Sequence, residues 1–200
     1  MAYRQGELAR AVALEVGRVV RAGHVAGVRH ALIVEVEDPA PLTALLELYP
    51  QGGEAAWLRS FHFAVDVRPR FCETDALGHV SNTVYTTYWE LARLQYLAHV
   101  GEADDAPKRA FPFNHMAAEI TMRLLRPCFY DEPLQVHARM VALGRSSAVM
   151  EHALAAGDDI RAIARIAFVA SDGEHVIPWT AGQRGKLEAF EGHELPAPAR

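Results

Sequence analysis

Apolar and polar positions along the chain change period twice, and each change marks a different kind of element. From Glu7 to Val20, the residues Leu8, Ala11, Val12, Val16, Val19 and Val20 recur at helical spacing and Gly23 follows as a stop, so the pattern predicts an amphipathic helix. Val28, His30, Leu32, Val34 and Val36 then alternate with Arg29, Ala31, Ile33, Glu35 and Glu37, the period of a strand. Asp38 and Pro39 open a second helix carrying Leu42, Leu45, Leu46 and Tyr49, and the stretch from Tyr49 to Glu54 reads as a linker. Residues 1–58 are therefore expected to form helix, strand, helix, an N-terminal extension of unassigned role. So small a set encloses too little core to stand alone, and should pack on the rest of the chain or on a second copy.

Beyond the linker, Phe61, Phe63, Val65 and Val67 alternate with His62, Ala64, Asp66 and Arg68, a half-buried strand. From Thr83 to Val100 nearly every turn is apolar except a narrow stripe of Thr83, Thr86, Thr87, Glu90 and Arg93. That pattern predicts a long helix enclosed on most sides and polar along one line, ended by Gly101. Four strands follow, at Met116–Leu125, Leu134–Leu143, Ser147–Ala156 and Ile160–Ala170, and the short connections LGRSS and AGDD suit hairpins. One buried helix followed by a run of strands predicts an α+β domain over 59–192, an antiparallel sheet with the long helix as its main core element. The Pro/Ala-rich end, 193–200, reads as a mobile tail.

Composition narrows the classes of partner. The 200 residues are 50% hydrophobic, enough for a full domain and an added module. Twenty basic and 25 acidic residues give a formal charge of −5 with no basic block to follow a phosphate backbone, so nucleic acid is not expected as a partner. Cys72 and Cys128 are too few for a disulfide framework, and no Cys-x-x-Cys, His-x-His or other zinc spacing occurs. No metal or cofactor is expected, and a reducing cytoplasm fits. Glu7, Arg10, Glu15 and Arg18 interrupt the N-terminal apolar run, and no segment approaches the roughly 18 apolar residues of a membrane helix, so neither a leader nor a membrane span is expected.

The chemistry gathers between the first strand of the domain and its long helix. Asp75, Gly78, His79, Ser81 and Asn82 sit just before or at the helix start, where backbone N–H groups lack intrahelical acceptors. Polar atoms at such a place can cap the helix, bind a ligand or perform chemistry. Cys72 nearby reads as a small core residue and His79 as a loop-fixing or substrate-lining group.

The segment RFCETDALGHVSNTVYTTYWELAR resembles the signature of hotdog-fold acyl-CoA thioesterases of the hydroxybenzoyl-CoA thioesterase type, through Phe71, Thr74, Asp75, Gly78, His79, Val80, Asn82, Tyr85, Glu90 and Arg93. The stretch from His115 to His152 is similar to the family's later strands, with Arg126-Pro127 ending one and Leu143 to Ser147 forming a turn. The resemblance covers about residues 60–180, and residues 1–58 match no family.

The resemblance implies a hotdog fold, a sheet wrapped around one long helix. It implies hydrolysis of an acyl-CoA to free acid and CoA, with Asp75 as base or nucleophile and the Asn82 backbone N–H as oxyanion donor. Gly78, His79, Val80, Tyr85, Glu90, Arg126, Arg145 and Ser146 are the expected substrate-binding residues, the arginines for CoA phosphates. A homodimer or homotetramer is implied as well. The departures from the family are Phe71 and Asn82, where some members carry Tyr and His. The alternative on the same fold is a non-catalytic module that binds acyl-CoA or acyl carrier protein.

Overall fold

Leu134, Val136, Ala138 and Met140 fall on one face of a strand and Gln135, His137 and Arg139 on the other, and burial of the first set decides which face meets the helix. The computed structural model describes residues 18–25, 28–35, 53–101, 115–172 and 174–198. The chain divides into two compact units, 1–47 and 48–200.

In the first unit, β1 (Arg18–Val25) pairs antiparallel with β2 (Val28–Glu35). The expected strand over 28–37 is largely present. The expected helix ran through Val20, but Arg18, Val19 and Val20 lie in β1; β-branched neighbours favour the extended backbone once a partner strand is available. The rest of that helix and the helix expected from Asp38 lie outside the described residues.

In the second unit, α1 (Glu54–Leu58) precedes β3 (Phe63–Val67), and a single 3₁₀ turn (Phe71–Glu73) leads into α2 (Asn82–His99). Then come β4 (His115–Leu124), β5 (Leu134–Leu143), β6 (Ser147–Ala156), β7 (Asp159–Ala170) and α3 (Ala181–Glu191). The five strands form one antiparallel sheet in the order β3-β5-β6-β7-β4, the hotdog arrangement, with β3 and β4 at its edges. Both short connections are hairpin turns as their length required.

The core lies between the sheet and α2. Trp89, Ala92, Tyr96 and Leu97 of the helix are fully buried, with Met140, Met150, Leu154 and Phe168 among the sheet residues of the same cluster. Aromatic side chains bury the most area per residue, and α2 contributes Tyr85, Tyr88, Trp89 and Tyr96 to this core. On the opposite sheet face, Arg139 and Arg165 both pair with Glu151, and Arg139 lies over the rings of Trp57 and Phe61.

Three features depart from expectation. The end of the expected linker and the residues after it form α1, which bonds to the sheet through Glu54, so α1 groups with the second unit although its residues fall within the expected extension. α3 was not foreseen, although Thr180 and Gln183 form a capping box and Gly192 supplies the left-handed C-cap. Its Glu191 accepts bonds from the Tyr96 hydroxyl and from Met140 N, the latter at 2.8 Å. The tail expected to be mobile begins with a docked stretch, because Leu195 is buried and Pro196 O accepts from Leu143 N at 2.8 Å. Among the described residues no helix is long and apolar enough to cross a membrane.

His152 is completely buried beneath Trp89, at 5.8 Å between ring centroids, and neither ring nitrogen has a hydrogen-bond partner. Burial first, and the charge of Arg93 second, lower its pKa to about 3, and the same causes lower His115 to about 4. Between these values and about 6.5, an unfolded histidine binds a proton that the folded one refuses, so stability rises with pH. Acidifying from pH 7 to pH 5 should therefore cost on the order of 1 kcal/mol per pH unit for each of the two histidines. Denaturant unfolding of wild type and His152→Leu at several pH values checks this, the variant being expected to show a shallower slope.

Candidate active site

The turn that carries Asp75 is tied at three points. Asp75 N donates to His79 O at 2.8 Å, Gly78 N donates to Asp75 O at 3.0 Å, and Thr74 bridges to Val80. Asp75 Oδ1 accepts from Leu77 N at 2.8 Å and His79 N at 3.2 Å, an Asx-type turn that sets the orientation of the carboxylate. Gly78 adopts φ 78°, a conformation in which a Cβ would be strained, and this gives the glycine at this place its backbone reason.

Below the turn, Glu73 anchors it to α2. Its carboxylate accepts from Arg70 N at 2.7 Å, from Arg70 Nη2 at 2.7 Å and from the buried Tyr88 hydroxyl at 2.8 Å. Burial works to raise the Glu73 pKa, but the Arg70 and Tyr88 bonds outweigh it and hold the carboxyl below its ordinary value. Sequence reasoning passed over Glu73, since nothing in its spacing separates it from a surface glutamate. Ser81 N then donates to Glu73 O and Val80 N to Cys128 O, so the chain enters α2 on a fixed path.

Asn82 is the first residue of α2. The preceding Ser81 side chain makes no cap bond and the first turn carries no acidic residue, so the positive end of the helix is left open. Asp75, His79, Val80, Asn82 and Tyr85 line a common open cavity of about 260 Å³ together with Leu124, Leu125, Arg126 and Pro127. A carboxylate and uncapped helix N–H groups thus share one space, the pairing required for attack on a carbonyl whose oxygen turns negative.

The remaining expected site residues divide. Tyr85 is buried at the cavity wall and His79 packs edge-on to Phe129 at 5.4 Å. Arg126 reaches the cavity but pairs with Glu54 at 2.9 Å and Asp159 at 3.2 Å. Arg145 and Ser146 do not line this cavity. Their turn is bonded to Trp179 and Ala170, and Ala170 pairs with His115 at the end of β4 remote from Leu124. Glu90 is exposed and lies 3.6 Å from Arg93, as the spacing of three residues predicts. Cys72, expected in the core, is exposed because its 3₁₀ turn points it outward, and Cys128 is the buried cysteine. Among the described residues no group of three His, Cys, Asp or Glu side chains comes together as metal ligands would.

A family model described as the thioesterase superfamily matches residues 77–163. A thioesterase of Thermus thermophilus, solved with coenzyme A and zinc, is 32% identical with a TM-score of 0.61, over 68% of this chain and 98% of that one. A thioesterase superfamily protein of Jannaschia sp. CCS1 is 24% identical with a TM-score of 0.60, over 74% of this chain and 99% of that one. The gentisyl-coenzyme A thioesterase BH1999 shares the fold at 19% identity and a TM-score of 0.54, over 62% and 98%. No curated protein matches the chain. By sequence and fold, the chain belongs to the thioesterase superfamily.

Tyr88→Phe removes a hydroxyl from a buried carboxylate and should lower stability by about 1.5–3 kcal/mol, the range for bonds to charged groups. Chemical denaturation of the variant beside Tyr88→Leu measures the hydroxyl and the ring separately.

Proposed function

We propose that the protein hydrolyses the thioester of an acyl-CoA to a free acid and CoA, and that Asp75 and the first turn of α2 perform the reaction. The observation that carries this is the shared cavity of Asp75 and Asn82 at an uncapped helix start. The thioester carbonyl oxygen takes the backbone N–H of Asn82, and the helix dipole, equivalent to about half a positive charge, favours the developing oxyanion. Asp75 Oδ1 is occupied by two backbone donors and Oδ2 is the oxygen that works.

As a base, Asp75 takes a proton from water while the water oxygen bonds to the carbonyl carbon. The tetrahedral intermediate then expels the CoA thiolate, which recovers the proton from Asp75. As a nucleophile, Asp75 bonds to the carbonyl carbon itself, releases thiolate, and the resulting anhydride is hydrolysed. Turnover in ¹⁸O-labelled water under single-turnover conditions tests the second route, since label enters the enzyme only when water opens the anhydride at the Asp75 carbonyl.

The narrower assignment to the hydroxybenzoyl-CoA thioesterase type rests on the motif from Phe71 to Arg93. The CoA-bound relative supports a CoA substrate for this chain. We place the protein in the cytoplasm and assign it a homodimer or homotetramer. The edge strand β4 exposes Met116, Ile120 and Leu124 at 53%, 43% and 40%, and a second copy would cover both its apolar side chains and its unpaired backbone. Leu124 also walls the Asp75 cavity, so assembly completes the site, and Arg145 and Ser146 of another copy are the groups assigned to the CoA phosphates. That the residues ahead of α1 form a separate extension stays part of this proposal.

Asp75→Asn should lower kcat by about 10²-fold or more on a panel of acyl-CoA substrates, in line with loss of a general base, while fold and assembly persist. Thiol release and light scattering measure both, and retained turnover would remove Asp75 from the mechanism. Ile120→Lys is expected to shift the assembly toward monomer and reduce activity with it, read by light scattering at several protein concentrations.

A further inference from the structure

Arg126 and Asp75 line the same open cavity, so a cation and the proposed working carboxylate face one space. Asp75 Oδ1 already accepts from Leu77 N and His79 N, which leaves Oδ2 to meet a charge across that space. A guanidinium seated on Oδ2 would take the lone pair that the reaction uses and make the carboxylate a weaker base and nucleophile. Something has to hold Arg126 elsewhere.

Glu54, the first residue of α1, does so. Arg126 Nη2 donates to Glu54 Oε1 at 2.9 Å and Nη1 to Glu54 Oε2 at 3.2 Å, a two-toothed pair of guanidinium and carboxylate. Nη1 also donates to Ile160 O, and Nε lies 3.2 Å from Asp159 Oδ1. Glu54 Oε2 in turn accepts from Ile160 N at 3.2 Å, so the pair clasps both backbone polar groups of that residue. All three guanidinium nitrogens are thus directed at α1 or at the first two residues of β7. A planar fork prefers a carboxylate offering two oxygens to one offering a single oxygen, and this ranks Glu54 ahead of Asp75. The rest of α1 is anchored without Glu54. Leu58 and Phe61 are buried, Trp57 meets Phe61 edge-on at 4.8 Å, and Arg139 lies over both rings while donating to Ser60 Oγ at 2.6 Å.

We infer that Glu54 is a positioning residue for the active site: by holding Arg126 against the start of β7, it keeps the guanidinium off Asp75 Oδ2. This role rests on the reading of Asp75 as the working carboxylate. Among the described residues none of α1 lines the cavity, so the short helix enters the reaction only through this contact.

The test removes the holder and then the group it holds, in the full chain and on the best substrate of an acyl-CoA panel. Glu54→Ala should lower kcat by about tenfold while KM changes by less than about threefold, since the released guanidinium acts on the reacting carboxylate. Glu54→Gln, which keeps an oxygen for Ile160 N but not the charge, should fall between Glu54→Ala and wild type. Adding Arg126→Met to Glu54→Ala should return kcat to within about threefold of Arg126→Met alone, whereas a merely structural Glu54 would give additive losses. A crystal structure of Glu54→Ala is expected to show the guanidinium within hydrogen-bond distance of Asp75 Oδ2. Unchanged or raised kcat in Glu54→Ala, a loss that persists in the double variant, or a guanidinium still directed at β7 in that crystal would overturn the assignment. Hydrolysis by wild type with the guanidinium unmoved in Glu54→Ala removes only this inference. A guanidinium that moves onto Asp75 in a protein that hydrolyses no acyl-CoA removes only the hydrolase reading.

Discussion

The docking of α2 on the sheet is the constraint from which the site follows. Trp89, Ala92, Tyr96 and Leu97 give the helix one wide apolar face, and a helix held by large, fully buried rings has little freedom to rotate or slide. Its N-terminus is therefore a fixed point in the fold. The open N–H groups of that terminus fall beside the Asp75 turn because Glu73 ties the turn to Tyr88, less than two turns into the same helix. Preorganisation of this kind is what lets a short loop hold a carboxylate against an oxyanion position without spending binding energy on ordering it.

Polar satisfaction is distributed unevenly across the framework. Glu191 holds α3 to Tyr96 and Met140, Glu151 neutralises two arginines, and Glu132 bonds Arg161 at 2.5 Å. Each of these carboxylates has its partners, while Arg161 Nε and Arg165 Nε stay buried without a hydrogen-bond partner. The first turn of α2 has no side-chain cap and opens on the cavity it shares with Asp75. The edge position of β4 explains why cavities persist there. Among the described residues no further strand pairs with its outer edge, and its apolar residues Met116, Ile120 and Leu124 stay exposed.

Much of the fold was legible in the sequence because its elements are long and strongly periodic. Leu134–Leu143 and Ser147–Ala156 match the predicted bounds, and α2 begins one residue earlier and ends one earlier than its apolar pattern implied. The misses are where local pattern is weak or loses to pairing. Val19 and Val20 fit a helix by spacing and a strand by β-branching, and the partner strand β2 decided between them. α3 carries few apolar residues and is tied to the core through the buried carboxylate of Glu191, so its capping box was the main local signal.

For the candidate site, residue types and order were already informative. A carboxylate in an Asx-type turn, a glycine with positive φ and an asparagine at a helix start are local features, written in a dozen consecutive residues and dictated by backbone chemistry. What a linear pattern cannot carry is which distant groups share their space. That Glu73 is buried under Tyr88, that Arg126 is paired with Glu54 and Asp159, that Arg145 and Ser146 belong to the other end of the sheet, and that Arg93 Nη1 lacks a partner all depend on strand order. Strand order is set by nonlocal packing, in which burial of one face against α2 outweighs any preference expressed along the chain.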